Sequence, residues 1–133
     1  MEKGDRKVKL YYLASPYSGD MQKRNERYKL LVELLVRLPK DIAYYSSIAM
    51  WHHISKRFNL SGEFSTYRAI DFEFISRCDA FALIPLSGWK ESIGMKEEWE
   101  YACSRKKDRY VLNPIDLSFH LLHSKRWPGD RKP

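Results

Sequence analysis

The feature that most constrains the fold is an almost continuous apolar run, DAFALIPL, at residues 79–86. A strand with so few polar positions is buried on both faces, which is typical of the centre of a parallel sheet. Shorter β-rich runs at residues 8–14, 41–47 and 109–113 are separated by helical periodicity. This alternation predicts an α/β fold with three Rossmann-like (flavodoxin-like) layers. We expect a parallel sheet of four to five strands with helices on both faces.

The helical segments have recognisable ends. Asp20 is placed to cap a helix that ends before Pro39, and one apolar stripe predicts a helix over residues 64–77. Two more helices are predicted, one over residues 92–106 and one from Ile115. The segment 48–61 is open to two interpretations, a lid that covers a substrate or a plain helix.

Length and composition indicate the class of protein. A chain of 133 residues has the size of one domain, so we expect a single domain with its core at residues 8–123 and a loose polar tail at residues 124–133. No apolar run approaches the roughly 20 residues of a membrane-spanning helix. Two cysteines, Cys78 and Cys103, form no disulfide framework, which favours a cytoplasmic location.

The net charge of +7 favours an anionic partner, either a nucleotide or a nucleic acid. Most of the basic residues lie at the chain ends or on helix faces that we expect to be exposed. Solvent-exposed side chains of this kind therefore explain most of the excess of basic over acidic residues. Nucleic-acid binding is the minor hypothesis.

Asp71 stands on the apolar stripe of its predicted helix, among residues that should face the sheet. Burying an ionised carboxylate is costly unless it is paired or hydrogen-bonded. Asp71 is therefore a candidate functional residue. The alternative is a structural carboxylate at the helix edge, either paired with Arg68 or Arg77 or reaching water past the edge of the sheet.

Glu98 borders the stripe of the following helix and can point toward the end of a strand. Its acidic neighbours Glu91, Glu97 and Glu100 support a second interpretation, in which it belongs to a solvated acidic face.

In parallel sheets, ligands bind beyond the carboxyl ends of the strands. Here those ends include the segments at residues 15–18, 46–53 and 87–92. Ser92 is predicted to cap the helix that begins there, and Gly94 could let backbone approach a ligand. Trp89 could cover a base or simply pack in its loop.

The sequence supports neither a metal site nor a cofactor. His52 and His53 have no third ligand at a matching spacing, so a structural or surface role is favoured for both. There is no Walker loop and no dinucleotide-binding glycine motif.

Three motifs resemble, in order, those of the nucleoside 2-deoxyribosyltransferase-like superfamily. They are YYLASPYS at residues 11–18, DFEFISRCDA at residues 71–80 and SIGMKEEWEYA at residues 92–102. Within that superfamily, SIAMWHHI at residues 47–54 and GWKESIG at residues 88–94 are most similar to the uncharacterised DUF1937 branch.

The resemblance implies roles for single residues. Glu98 matches the nucleophile that attacks the anomeric carbon, and Asp71 matches the acid/base carboxylate. A tyrosine of the first strand orients the nucleophile, for which we favour Tyr12 over Tyr11. Ser92 matches the serine that holds the 5′-phosphate in the monophosphate hydrolases.

The loop after the first strand occupies the place of the family's phosphate loop. It is formed by Ser15, Pro16, Tyr17 and Ser18.

The resemblance also implies an activity and an assembly. We expect a nucleoside 5′-monophosphate N-glycosidase or a deoxyribosyltransferase, acting on a nucleoside or nucleotide. The alternative is a non-catalytic nucleotide-binding or sensor domain, because Lys96 and Glu100 replace family glycines and could narrow the pocket. Relatives share active sites between subunits, so a homodimer or larger homo-oligomer is expected through the helices around Asp71 and Glu98.

Overall fold

The computed structural model of the protein describes residues 8–60 and 64–130. In these residues five strands and four α-helices follow one another: β1 Leu10–Ala14, α1 Met21–Leu35, β2 Ala43–Tyr45, α2 Ser47–Arg57, α3 Phe64–Arg77, β3 Ala80–Leu83, α4 Ile93–Ser104, β4 Asp108–Leu112 and β5 Phe119–Leu122. A short 3₁₀ turn, Pro128–Asp130, follows the last strand.

The strands form one sheet in the order β2-β1-β3-β4-β5. Strands β1 to β4 run parallel, and β5 pairs with β4 in the antiparallel direction. The apolar run of the sequence supplies the central strand, β3, in which all four residues are buried. The prediction of a Rossmann-like α/β fold is therefore confirmed.

Side chains alternate between the two faces of the sheet, and each face carries its own core. On one face, Tyr12 and Phe81 belong to a cluster with Ile75 of α3 and with Met95 and Trp99 of α4. On the other face the cluster contains Leu13, Ala82, Ile84 and Leu112 of the sheet and Leu31, Leu34 and Leu35 of α1. The alternation therefore directs Tyr12 toward α3 and α4.

Three helices begin with a capping side chain at the carboxyl end of the sheet. Asp20 accepts a hydrogen bond from the Lys23 amide, Ser46 from the Ala49 amide and Ser92 from the Met95 amide. The cap predicted at Ser92 is confirmed. Because Ser46 starts a helix, β2 is shorter than predicted.

The segment 48–61 is a plain helix through Arg57, and Ser61 lies outside the described residues. Of the helices that the structure describes, none combines the length and the apolar character needed to cross a membrane.

The prediction of a helix from Ile115 is wrong. The Asn113 side chain accepts hydrogen bonds from the amides of Ile115 and Asp116, and Leu117 has a positive φ of 64°. These features make a turn, after which Phe119–Leu122 returns as β5 beside β4. The sheet therefore ends in an antiparallel edge strand, which is common in α/β folds.

The C-terminal segment is anchored as far as residue 130, in contrast to the loose tail expected from its polar composition. Trp127 is only 3% exposed and packs edge-on against Trp99 of α4. The Trp99 indole N–H donates to the Lys125 carbonyl, and the Arg109 guanidinium donates to the Ser124 carbonyl. Burial of one large aromatic side chain thus orders a segment whose other residues are mostly polar. The last three residues of the expected tail lie outside the described part.

Candidate functional site

A cavity of about 70 Å³ lies where β1 ends and helices α2, α3 and α4 converge. We call it the inner cavity. Its lining comes from β1 and its loop (Tyr12, Leu13, Ala14, Ser15, Tyr17, Ser18), from α2 (Ser47, Ile48), from α3 (Phe64, Tyr67, Asp71) and from α4 with its cap (Ser92, Gly94, Met95, Glu98).

The Tyr12 hydroxyl donates a hydrogen bond of 2.5 Å to Oε2 of Glu98. Both side chains are buried, Tyr12 to 1% and Glu98 to 6% exposure. The structure thus places Tyr12, rather than Tyr11, against the predicted nucleophile. Tyr11 lies on the opposite face of the sheet, against Phe119 and Tyr110.

Asp71 is 3% exposed and lines the same cavity. Neither of its proposed structural partners is engaged with it, because Arg68 pairs with Glu97 and Arg77 pairs with Glu73. Its Oδ1 atom has no hydrogen-bond partner among the described residues. A buried carboxylate oxygen without a partner is costly, so it is suited to receive a ligand group.

The two carboxyls influence one another. Burial raises the pKa of Glu98 well above its usual range, and the neighbouring Asp71 carboxylate raises that pKa further. Burial also raises the pKa of Asp71, and contacts with Ser47, Glu98 and Tyr12 partly offset this. Such a pair retains a shared proton at a higher pH than isolated carboxyls do. The pair can therefore hold one protonated and one ionised carboxyl at a pH where two isolated carboxyls would both be ionised.

The loop after β1 contributes three side chains to the inner cavity. Ser15 is 8% exposed, and its Oγ has no hydrogen-bond partner among the described residues. Tyr17 and Ser18 line the same space, whereas Pro16 is buried and is not part of the lining. Ser15 Oγ and Asp71 Oδ1 are thus two unpartnered polar atoms on one cavity.

The start of α4 closes another side of the cavity. Ser92 lines it while its Oγ caps the helix. A Cβ at Gly94 would meet the Phe64 ring at 3.2 Å. The glycine therefore gives room to Phe64, which also lines the cavity, and this is a packing reason for a residue predicted to give room to a ligand.

Trp89 is not among the residues that line the inner cavity. Its ring packs edge-on against Trp127, with centroids 5.7 Å apart. Of the two interpretations of Trp89, the structure favours simple packing.

A wider space of about 550 Å³ adjoins the inner cavity and shares Ser18, Phe64, Ser92 and Gly94 with it. We call it the outer cleft. Lys23 and Arg27 of α1 line it together with the acidic side chains of Glu91 and Glu97.

Arg27 is held in place in the outer cleft, because its Nη1 donates to the Ser18 carbonyl at 2.6 Å. Gly88 makes this possible, because a Cβ at that position would overlap the Arg27 guanidinium.

Lys96 and Glu100, the two residues expected to narrow the pocket, lie outside the inner cavity. Lys96 pairs with Asp130 at 3.6 Å, and Glu100 is exposed. Neither is among the lining residues, so neither narrows the space next to Glu98.

In the residues that the structure describes, no three His, Cys, Asp or Glu side chains are grouped as metal ligands would be. His52 is buried and hydrogen-bonded to Tyr17. His53 lies at the surface.

Sequence reasoning did not single out Ser47, Phe64 or Tyr67 as site residues, although all three line the inner cavity. Tyr67 was detectable, because it stands one helical turn before Asp71 on the same stripe. Ser47 lies in the segment 46–53 that was predicted to stand at a carboxyl end of the sheet, but it was given no role, because its position depends on where α2 begins.

Comparison with protein families matches residues 9–113 to the family described as Domain of unknown function (DUF1937). Comparison with curated proteins gave no match. The matched range is most of the chain and contains Tyr12, Asp71 and Glu98. The chain therefore belongs to the DUF1937 family.

Proposed function

We propose that the protein cleaves the N-glycosidic bond of a nucleoside 5′-monophosphate, as an N-glycosidase or a 2-deoxyribosyltransferase. The proposal rests on one observation above all: two buried carboxyls, Glu98 and Asp71, share a cavity in which Glu98 is held by the Tyr12 hydroxyl. The motifs that resemble the nucleoside 2-deoxyribosyltransferase-like superfamily carry the same three residues, so we place the DUF1937 family in that superfamily.

The first step of the proposed reaction uses both carboxyls. The reactive form of the pair has its shared proton on Asp71, although burial raises the pKa of Glu98 more strongly, so the Tyr12 hydrogen bond is needed to favour ionised Glu98. An ionised oxygen of Glu98 then attacks the anomeric carbon while the bond from that carbon to the base nitrogen breaks. The electron pair goes to the base, which takes a proton from Asp71. The transition state resembles an oxocarbenium ion, so a negative charge beside the sugar stabilises it. The product is a glycosyl ester of Glu98 and a free base.

In the second step Asp71, now ionised, takes a proton from water as the water oxygen attacks the anomeric carbon. The ester bond to Glu98 breaks, and its electron pair returns to the carboxylate. A second base in place of water would give transfer instead of hydrolysis. Both routes return the enzyme to its starting protonation state.

The outer cleft supports a nucleotide over an uncharged nucleoside. Lys23 and Arg27 supply positive charge there beside Glu91 and Glu97, and Glu97 is already paired with Arg68. Ser92 stands at the N-terminus of α4, where free backbone N–H groups favour an anion. The inner cavity would then hold the sugar, with the 5′-phosphate directed toward the outer cleft.

The alternative of a non-catalytic nucleotide binder depended on a pocket narrowed by Lys96 and Glu100. Since both side chains lie outside the cavity lining, that argument loses its basis. The experiment below distinguishes a non-catalytic nucleotide binder from an enzyme.

The test is incubation of the purified protein with ribo- and deoxyribonucleosides and their 5′-monophosphates, with free base followed by chromatography. We expect base release from a monophosphate by the parent and by Glu100→Ala, whose exposed side chain is on the same helix. Glu98→Ala should release none. Equal rates in Glu98→Ala and the parent would refute the mechanism. Thermal stabilisation by a nucleotide without base release would favour the non-catalytic binder.

We further propose that the protein works in the cytoplasm as a homodimer or larger homo-oligomer. Apolar side chains stand exposed on α3 and directly after α2, among them Ile70 at 40% and Phe74 at 38% on α3 and Phe58 at 66% after α2. Burying them between subunits would remove this apolar surface from water. Sedimentation equilibrium should give a multiple of the chain mass, and Ile70→Glu should shift it toward one chain. A monomeric parent would exclude the assembly.

A further inference from the structure

His52 is a buried imidazole outside the proposed reaction. It is 2% exposed, lies in α2 and is not among the residues that line the inner cavity or the outer cleft. Its ring stacks on Tyr28 of α1, with centroids 4.2 Å apart and planes inclined by 16°. Its Nδ1 is 2.7 Å from the Tyr17 hydroxyl.

Tyr17 connects this imidazole to the candidate site. It belongs to the loop between β1 and α1, and its side chain lines the inner cavity together with Ser15 and Ser18 of the same loop. The His52 and Tyr17 rings meet edge-on, with centroids 5.6 Å apart. The loop that forms one wall of the cavity is therefore connected to α2 by the Tyr17–His52 hydrogen bond, in which His52 lies outside the cavity lining.

The surroundings of His52 favour a neutral ring. Burial and the charges of His53 and Lys56 on α2 and of Arg24 on α1 lower the pKa of His52 below its usual value. The rings of Tyr17 and Tyr28 also pack against it. A neutral imidazole has one donor and one acceptor nitrogen, so Nδ1 can bond the hydroxyl in either tautomer.

We infer that His52 is a positioning residue: through Tyr17 it holds the β1–α1 loop against α2 and thereby fixes one wall of the inner cavity. Ligand affinity then depends on a side chain that does not touch the ligand. The identity of the ligand rests on the proposed function, whereas the fastening of the loop does not.

The first arm of the test uses the ligand-free protein. Hydrogen exchange of the loop amides of Ser15, Tyr17, Ser18 and Gly19 is compared in the parent, His52→Phe, His52→Asn and His53→Asn. Phenylalanine keeps a ring against Tyr28 but cannot bond Tyr17, whereas the asparagine amide stands near the position of Nδ1. We expect faster exchange in His52→Phe, partial return in His52→Asn and no change in His53→Asn. Unchanged exchange in His52→Phe would overturn the inference whether or not a nucleotide binds.

The second arm measures KM and kcat, or Kd where no base is released. The ligand is the 5′-monophosphate for which the parent has the highest kcat/KM or the highest affinity. Tyr17→Phe and His52→Phe should each weaken binding about three- to tenfold, the range expected for one hydrogen bond, with a smaller effect on kcat. The double variant should be no weaker than either single variant, because both remove the same bond. Additive losses would overturn the inference. If the parent binds no nucleotide, the proposed function fails, and loop exchange alone decides the role of His52.

Discussion

The Tyr12 hydroxyl and the Glu98 carboxylate, 86 positions apart in the chain, form a hydrogen bond of 2.5 Å inside the core. Tyr12 belongs to β1 and Glu98 to α4, and both are buried on the same face of the sheet. The hydrogen bond favours the ionised form of Glu98, in opposition to burial, which favours the neutral form. The pair therefore sets how readily Glu98 ionises and, under the proposed function, how readily it acts as a nucleophile.

Tyr12→Phe should weaken the proposed reaction. Without the hydroxyl, the pKa of Glu98 rises further, so less of it is ionised and its oxygen is not oriented. Base release should fall about 10- to 100-fold, as expected for a hydrogen bond to a charged group, and the acidic limb of the pH profile of kcat/KM should move to higher pH. Tyr11→Phe, on the opposite face of the sheet, is the control. A normal profile in Tyr12→Phe would contradict this role.

Glu98→Gln should stabilise the fold at high pH. The pKa of Glu98 is raised in the folded state, so the folded chain binds more protons than the unfolded chain above the ordinary value of 4.5. The free energy of unfolding is therefore highest below that value and falls as pH rises through the folded pKa, by about 1.4 kcal/mol for each unit of elevation. Urea unfolding at several pH values should show a flatter decline in Glu98→Gln, with Glu100→Gln behaving as the parent. Parallel curves would show that Glu98 carries no such cost.

His52 should have the opposite effect on stability. Its pKa is lowered in the folded state, so below its usual value of 6.5 the unfolded chain binds more protons, and stability falls as pH drops. His52→Gln should reduce this loss between about pH 6.5 and pH 5, a window set by the ordinary histidine pKa. Denaturant titrations across that window measure it, with His123→Gln as reference, because His123 is exposed and is not among the groups that shift the pKa of His52. An identical acid loss in His52→Gln would exclude His52 as its source.

Lys23→Ala should distinguish nucleotides from nucleosides. Lys23 faces the outer cleft, so its loss should weaken binding of a 5′-monophosphate about two- to fivefold, the usual worth of an exposed charge pair, and leave the matching nucleoside unaffected. Added salt should shrink the difference. Lys29→Ala removes the same charge from an exposed position on the same helix and is the control. Equal effects of the two variants would argue against a phosphate near Lys23.

Trp127→Ala should destabilise the whole domain. Trp127 is 3% exposed and packs between Trp99 and Trp89, so truncation leaves a large cavity behind α4. The free energy of unfolding should drop by about 3–5 kcal/mol, as for other buried aromatic residues. Arg126→Ala, at an exposed neighbouring position, should change it little. A loss in Trp127→Ala as small as that of the control would show that the C-terminal segment is not part of the core.

Much of the fold follows from local patterns. The apolar run at residues 79–86 indicated a central strand, and the bounds of α3, Phe64–Arg77, agree with the predicted helix. Strand β5 did not follow, because its partner β4 is reached through a side-chain turn at Asn113 that periodicity does not reveal. The burial of Trp127 was missed for a related reason, since its partners lie elsewhere in the chain.

For the candidate site too, the sequence predicted some features and the tertiary structure decided others. The sequence by itself marked Asp71, because an acid on an apolar helical stripe is costly, and it marked Glu98 through a motif. Only the tertiary structure decided that these carboxyls share one cavity, that Tyr12 and not Tyr11 meets Glu98, and that Trp89 packs away from the site. The physical reason is that periodicity describes which face of a helix or strand a residue occupies, whereas the register and packing of those elements decide what that face meets.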